Sequence, residues 1–110
     1  MKDFSGNLIS FKNPNLDWNN KDLKMDTFNK DDNEHTTSFK VERDGILIIG
    51  CNYRQISYAN LVDDTNNIRI ASTSSANGSS GENRIIIQLY KNTNYRIYGK
   101  RVYALFIPYL

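Results

Sequence analysis

The sequence predicts an all-β domain, and three observations carry that prediction. Apolar and polar residues alternate over short runs, as in Thr36 to Glu42, where Phe39 and Val41 share one face and Ser38, Lys40 and Glu42 the other. A two-residue period of this kind belongs to a half-buried strand. Such runs recur at a spacing of roughly 8 to 12 residues between turn-forming residues, the pattern of an antiparallel sandwich or jelly roll. The composition, rich in Tyr, Asn, Ser and Thr, suits pleated strands joined by polar turns better than helices.

Each element follows from its residues. In the first 35, Leu23, Met25 and Thr27 alternate with Lys24 and Asp26 as in a strand, while Trp18, Met25 and Phe28 also fit a short helix face; a strand is favoured. Asp31-Asp32-Asn33-Glu34-His35 is a solvated turn. Asp44-Gly45 predicts another turn, and Gly45 to Asn52 is an isoleucine-dense run that predicts a strand buried on both faces. Ile56 to Val62 and Asn67 to Thr73 read as strands around the polar turn at 63–66, with Ile68 and Ile70 on one face. Ser72 to Asn83, almost wholly Ser, Thr, Ala, Asn and Gly, predicts a surface loop. Arg84 to Tyr90 follows with Ile85, Ile87 and Leu89 inward. Asn92-Thr93-Asn94 predicts a tight hairpin turn before the strand Tyr95 to Tyr98, and Gly99-Lys100 turns the chain again. The last strand, Arg101 to Ile107, is apolar on both sides: Val102, Ala104 and Phe106 on one, Tyr103, Leu105 and Ile107 on the other. The domain reading is an N-terminal arm over residues 1–35, with one or two short strands and an attachment role, and a sandwich core over residues 36–110.

Composition narrows the function classes. At 110 residues the chain holds one core, and its formal charge is +2. Arg54, Arg69, Arg84, Arg96 and Arg101 are scattered one per candidate strand rather than clustered, so no nucleic-acid partner is expected. No run is long and apolar enough to cross a bilayer, and the N-terminus lacks the stretch of a signal peptide, so no membrane insertion is expected. Cys51, the one cysteine, follows an apolar run and reads as a buried, inert thiol.

Catalysis is not expected. His35 is the single histidine and sits in an acidic turn, so neither a Ser-His-Asp set nor a multi-histidine metal site can be assembled. No catalytic residue, metal ligand or cofactor is assigned. Asp63-Asp64-Thr65-Asn66-Asn67 offers oxygen ligands but lacks the spacing of a calcium loop, and reads as a turn. The seven tyrosines, Tyr53, Tyr58, Tyr90, Tyr95, Tyr98, Tyr103 and Tyr109, either fill core edges and subunit contacts or stack on a glycan. The two-faced C-terminal strand makes Tyr103, Leu105, Ile107, Val102 and Phe106 the candidate oligomer interface. The loop makes Ser75, Asn77, Gly78, Ser79 and Ser80 candidates for partner or receptor contact.

Three segments, in order, carry a family resemblance. Phe39-Lys40-Val41-Glu42-Arg43-Asp44-Gly45-Ile46-Leu47-Ile48-Ile49 resembles the strand, turn, Gly, strand pattern of the complement-like and tumour-necrosis-factor-like jelly-roll heads. Ile85 to Ile97 resembles their later strand, Lys-containing turn and strand, and Arg101 to Pro108 their closing strand. With Asp17-Trp18-Asn19-Asn20 ahead of them, the same order is similar to small fibre, knob and decoration proteins of tailed bacteriophages. The resemblance spans roughly residues 17–110, with Thr93-Asn94 standing where the family carries Gly-Asp. It implies a homotrimeric jelly roll that is a non-enzymatic virion structural protein: a head fibre, capsid decoration or tail-fibre knob. Made in the host cytoplasm, it would sit on the virion among other virion proteins and touch a host-surface glycan. The alternative is a lectin-like carbohydrate-binding β-sandwich.

Overall fold

The computed structural model describes residues 15–51, 56–75 and 83–110. After a 3-10 turn at Trp18–Asn20 the chain forms β1 (Asp22–Asp26), β2 (His35–Val41), β3 (Gly45–Cys51) and β4 (Ser57–Asp63), then β5 (Ile68–Ser75), β6 (Asn83–Leu89), β7 (Thr93–Lys100) and β8 (Val102–Pro108). Two four-stranded antiparallel sheets pack as a sandwich, one in the order β1-β8-β3-β6 (sheet I), the other β2-β7-β4-β5 (sheet II). Consecutive strands lie in opposite sheets, except β4 and β5, which form a hairpin.

Alternation supplies the core. Sheet I contributes Met25, Leu47, Ile49, Leu89, Val102, Ala104 and Phe106; sheet II contributes Val41, Ala59, Leu61, Tyr95 and Ile97. Stacked sheets stand about 10 Å apart, so these side chains interdigitate in a single layer. The Phe39 ring packs 5.9 Å from that of Tyr95 at its margin. Cys51 is fully buried, and burial pushes its thiol pKa up.

Several sequence expectations are corrected by the register. The alternation of Leu23 with Met25 is broken by a bulge at Lys24: Met25 pairs with Ala104 and enters the core, whereas Leu23 pairs with Leu105 on the outer face. A second irregularity, between Leu61 and Val62, leaves Ile70 packed on the core while Ile68 is 55 % exposed. The polar run from Ser72 does not begin a loop. Ser72, Thr73, Ser74 and Ser75 continue β5 against β4, and Ser75 is buried opposite Ser57. Ladder pairing with β4 carries these small polar side chains, and Thr73 itself suits a strand. Asn77, Gly78, Ser79 and Ser80 lie outside the described residues.

The late hairpin is likewise replaced. β6 and β7 belong to different sheets, and Thr93 and Asn94 already pair with Val41 and Lys40. The chain reverses one residue earlier, at Asn92, which takes φ 60°, a left-handed conformation that asparagine tolerates better than most residues. Gly99 and Lys100 remain in β7, and the crossing to β8 turns on Arg101 alone, at φ 55°. The β4–β5 turn is held from its first side chain. The Asp63 carboxylate accepts the Asn66 backbone N–H at 2.9 Å and its side-chain amide at 2.8 Å. Although burial opposes ionisation, these bonds hold the Asp63 pKa below its ordinary value.

Candidate functional site

The two outer faces of the sandwich differ in chemistry. Sheet II presents polar rows. Thr36, Tyr98, Asn60 and Ser72 lie side by side across its four strands, and Tyr58 stands next to Tyr98's row, opposite Lys100. Much of this face is saturated by its own partners. Arg96 donates to both carboxylate oxygens of Asp64 at 3.2 Å and lies 5.6 Å over the Tyr98 ring. The Tyr58 hydroxyl donates to the Glu34 carboxylate.

The Glu34 bond pushes the Tyr58 pKa up to about 12. Because the folded value lies above the unfolded one of about 10, the bond's contribution to stability is complete below that pH and is lost as pH rises towards 12. A titration followed by tyrosinate absorbance should therefore show a late step towards pH 12 that Tyr58→Phe abolishes and that Glu34→Ala moves to lower pH. A wild-type curve with no late step would refute the contact.

Sheet I is organised differently, in three transverse rows on its outer face. The row of Ile107, Ile46 and Gln88 is capped by the chain itself. Leu16 bridges to Tyr109, the Asp17 N–H donates to the Pro108 carbonyl at 2.8 Å, and Leu16 and Trp18 pack with Ile48, Ile107 and Leu105. Arg43 ties this segment down, donating to the Asp17 carboxylate at 3.1 Å and to the Tyr109 carbonyl. The Asn20 side chain first, and Arg43 second, hold the Asp17 pKa below its ordinary value. The Tyr109 hydroxyl donates to Gln88 at 2.7 Å and closes the row at its far edge.

The middle row, Leu23, Leu105, Ile48 and Ile86, is wholly apolar. Ile48 is buried, Leu105 half-buried, and Leu23 and Ile86 each 49 % exposed. The last row is polar: Asp26, Tyr103, Gly50 and Arg84, one from each strand. With Ile48 below and Phe28 and Asn29 from the β1–β2 connection above, it lines a cleft of ≈ 350 Å³. Gly50 gives the Arg84 stem room to lie across the strand: an added Cβ there would stand 2.9 Å from Arg84 Cγ and 3.2 Å from the Asn83 carbonyl.

The residues expected at an oligomer interface thus separate. Val102 and Phe106 are core residues between the sheets, and Ile107 is fully buried beneath the chain's own Leu16 segment. Tyr103 and Leu105 alone of the five are partly open on the outer face. The described tyrosines form no common platform: Tyr95 is in the core, Tyr58 and Tyr98 are on sheet II, Tyr103 and Tyr109 on sheet I, and Tyr90 is exposed beyond the end of β6, while Tyr53 lies outside the described residues. His35 meets Asp31 at 2.8 Å, and Asp31 also accepts the Asn33 N–H. Sequence reasoning did not find Asp26, Phe28, Asn29 and Arg84 as one site. The signal available was Gly50, a lone glycine inside an apolar strand, which marks a place of close approach or a gap. No family model, no curated protein and no solved structure matches this chain.

Proposed function

We propose that this chain is a non-enzymatic jelly-roll module of a tailed-phage particle, a head fibre, decoration or fibre knob that works as a homotrimer. The observation that carries this reading is the strand order. In β1-β8-β3-β6 over β2-β7-β4-β5, all but one connection passes between the sheets. Such an order follows from winding a long antiparallel hairpin into a sandwich, the architecture found in viral capsid and lectin domains. Association is supported by the middle row of sheet I, since outer sandwich positions are ordinarily polar and this row is not.

A trimer gains avidity from three weak contacts held at high effective concentration, which suits a surface module. Light scattering at micromolar concentration should give three times the chain mass, and Leu105→Asp should give a folded monomer with unchanged circular dichroism. A monomeric wild type would remove the trimer. For the virion role, antibodies to the chain should decorate intact particles of the phage that encodes it; unlabelled particles would overturn that assignment.

A further inference from the structure

We infer that the cleft at the polar end of sheet I is a binding site for a short neutral saccharide of one or two pyranose rings. The inference stands on the cleft alone and does not depend on the trimer. The cleft's size lies at the lower end of the range for small-molecule sites, roughly 300 to 1,000 Å³, and fits a ligand of that length rather than a polymer chain laid across the sheet. Its lining has the mixed character that a sugar needs. Tyr103 and Phe28 offer aromatic surface to the C–H face of a ring, with the phenol hydroxyl as a polar tip. Asp26, exposed at one rim beside exposed Asn29, supplies carboxylate oxygens that accept from adjacent hydroxyls; the Asn29 amide both donates and accepts.

Charge and register set the ligand class. Among the described lining residues one carboxylate, Asp26, stands against one guanidinium, Arg84, so together they offer no net charge to select an anion. Their backbones stand at opposite ends of a four-strand row, three inter-strand spacings of about 4.8 Å apart, or about 14 Å. Between them the Arg84 stem lies over Gly50, and the buried Ile48 gives the floor an apolar base. A ring seated on Tyr103 therefore meets hydroxyl acceptors at the Asp26 end, and a second ring lies along the row towards the Arg84 stem.

The test is saturation-transfer NMR and calorimetry on the whole chain, with methyl glycosides of glucose, galactose, mannose and N-acetylglucosamine and their β-linked disaccharides as probes. At least one should bind. Asp26→Ala, at an exposed position, should weaken it tenfold or more with unchanged circular dichroism, and Tyr103→Ala should do the same while Tyr103→Phe retains binding. Absence of binding by every neutral probe overturns the inference, as does binding that is indifferent to Asp26→Ala. Binding only of uronic-acid saccharides or of a single-stranded oligonucleotide also overturns it. Mass measured by light scattering on the same samples separates the two ideas: a monomer that binds saccharide removes the trimer alone, and a trimer that binds none removes the cleft site alone.

Discussion

Ala104→Asp should leave the chain unfolded, whereas Leu105→Asp, one residue along the same strand, should leave it folded. Ala104 is fully buried, paired with Ile49 on one side and Met25 on the other, among the side chains that join the two sheets. The side chains it packs among are hydrophobic, and the nearby Lys24 ammonium is already paired with Asp22. A buried charge without a partner costs on the order of 3 to 5 kcal/mol, and the added volume costs about 1 to 3 kcal/mol more in a packed core. Set against a total stability of about 5 to 15 kcal/mol for an ordinary domain, that is enough to abolish the fold. Far-UV circular dichroism and soluble yield read the result. A cooperative melt within a few degrees of wild type would refute the assignment of Ala104 to the inter-sheet core.

Gly99→Ala should be the most damaging of the conservative substitutions. Its added Cβ would lie 2.0 Å from the Tyr58 carbonyl oxygen and 2.9 Å from Ala59 Cα, both backbone atoms of β4. Neither can rotate away, so the methyl group must part β7 from β4. β7 is an inner strand of sheet II, bonded to β2 as well. Overpacking in cores costs about 1 to 3 kcal/mol where side chains can shift; here the backbone must, and a loss of about 3 kcal/mol or more is expected. For a domain of this size that is a fall in melting temperature of roughly 15 °C. Gly50→Ala is the internal control, because its closest neighbour is the flexible stem of Arg84, and it should cost much less. Equal losses at the two glycines would show that the β4–β7 contact is looser than described.

Period-two patterning makes most of the strands legible in the sequence alone. Phe39 and Val41 of β2, the two-sided burial of β3, and Ile85, Ile87 and Leu89 of β6 all face as the alternation requires. Connections were less legible. Thr93-Asn94 and Gly99-Lys100 have turn composition, yet both pairs are ladder residues, because a turn signal is local and weak while the ladder on either side of β7 is long. The serine-rich start of the expected loop failed for the same reason: edge pairing with β4 asks for backbone groups, which Ser and Thr supply as well as Val does.

The candidate site is hardest to read, since Asp26, Phe28, Asn29, Gly50, Arg84 and Tyr103 come from four places along the chain and no spacing links those places. By itself the sequence determined the central residues of most strands and the apolar side of β2, β3 and β6, because those depend on neighbours two residues away. Only the tertiary structure decided that one face of β8 fills the inter-sheet core while the end of the other is covered by Leu16 and Trp18. It alone also brought an acid from β1 and an arginine from β6 into one row. The physical reason is that strand order and register arise from long-range backbone pairing, which is nearly indifferent to side-chain identity. A one-residue bulge such as that at Lys24 is enough to send Leu23 to the surface and Met25 to the core.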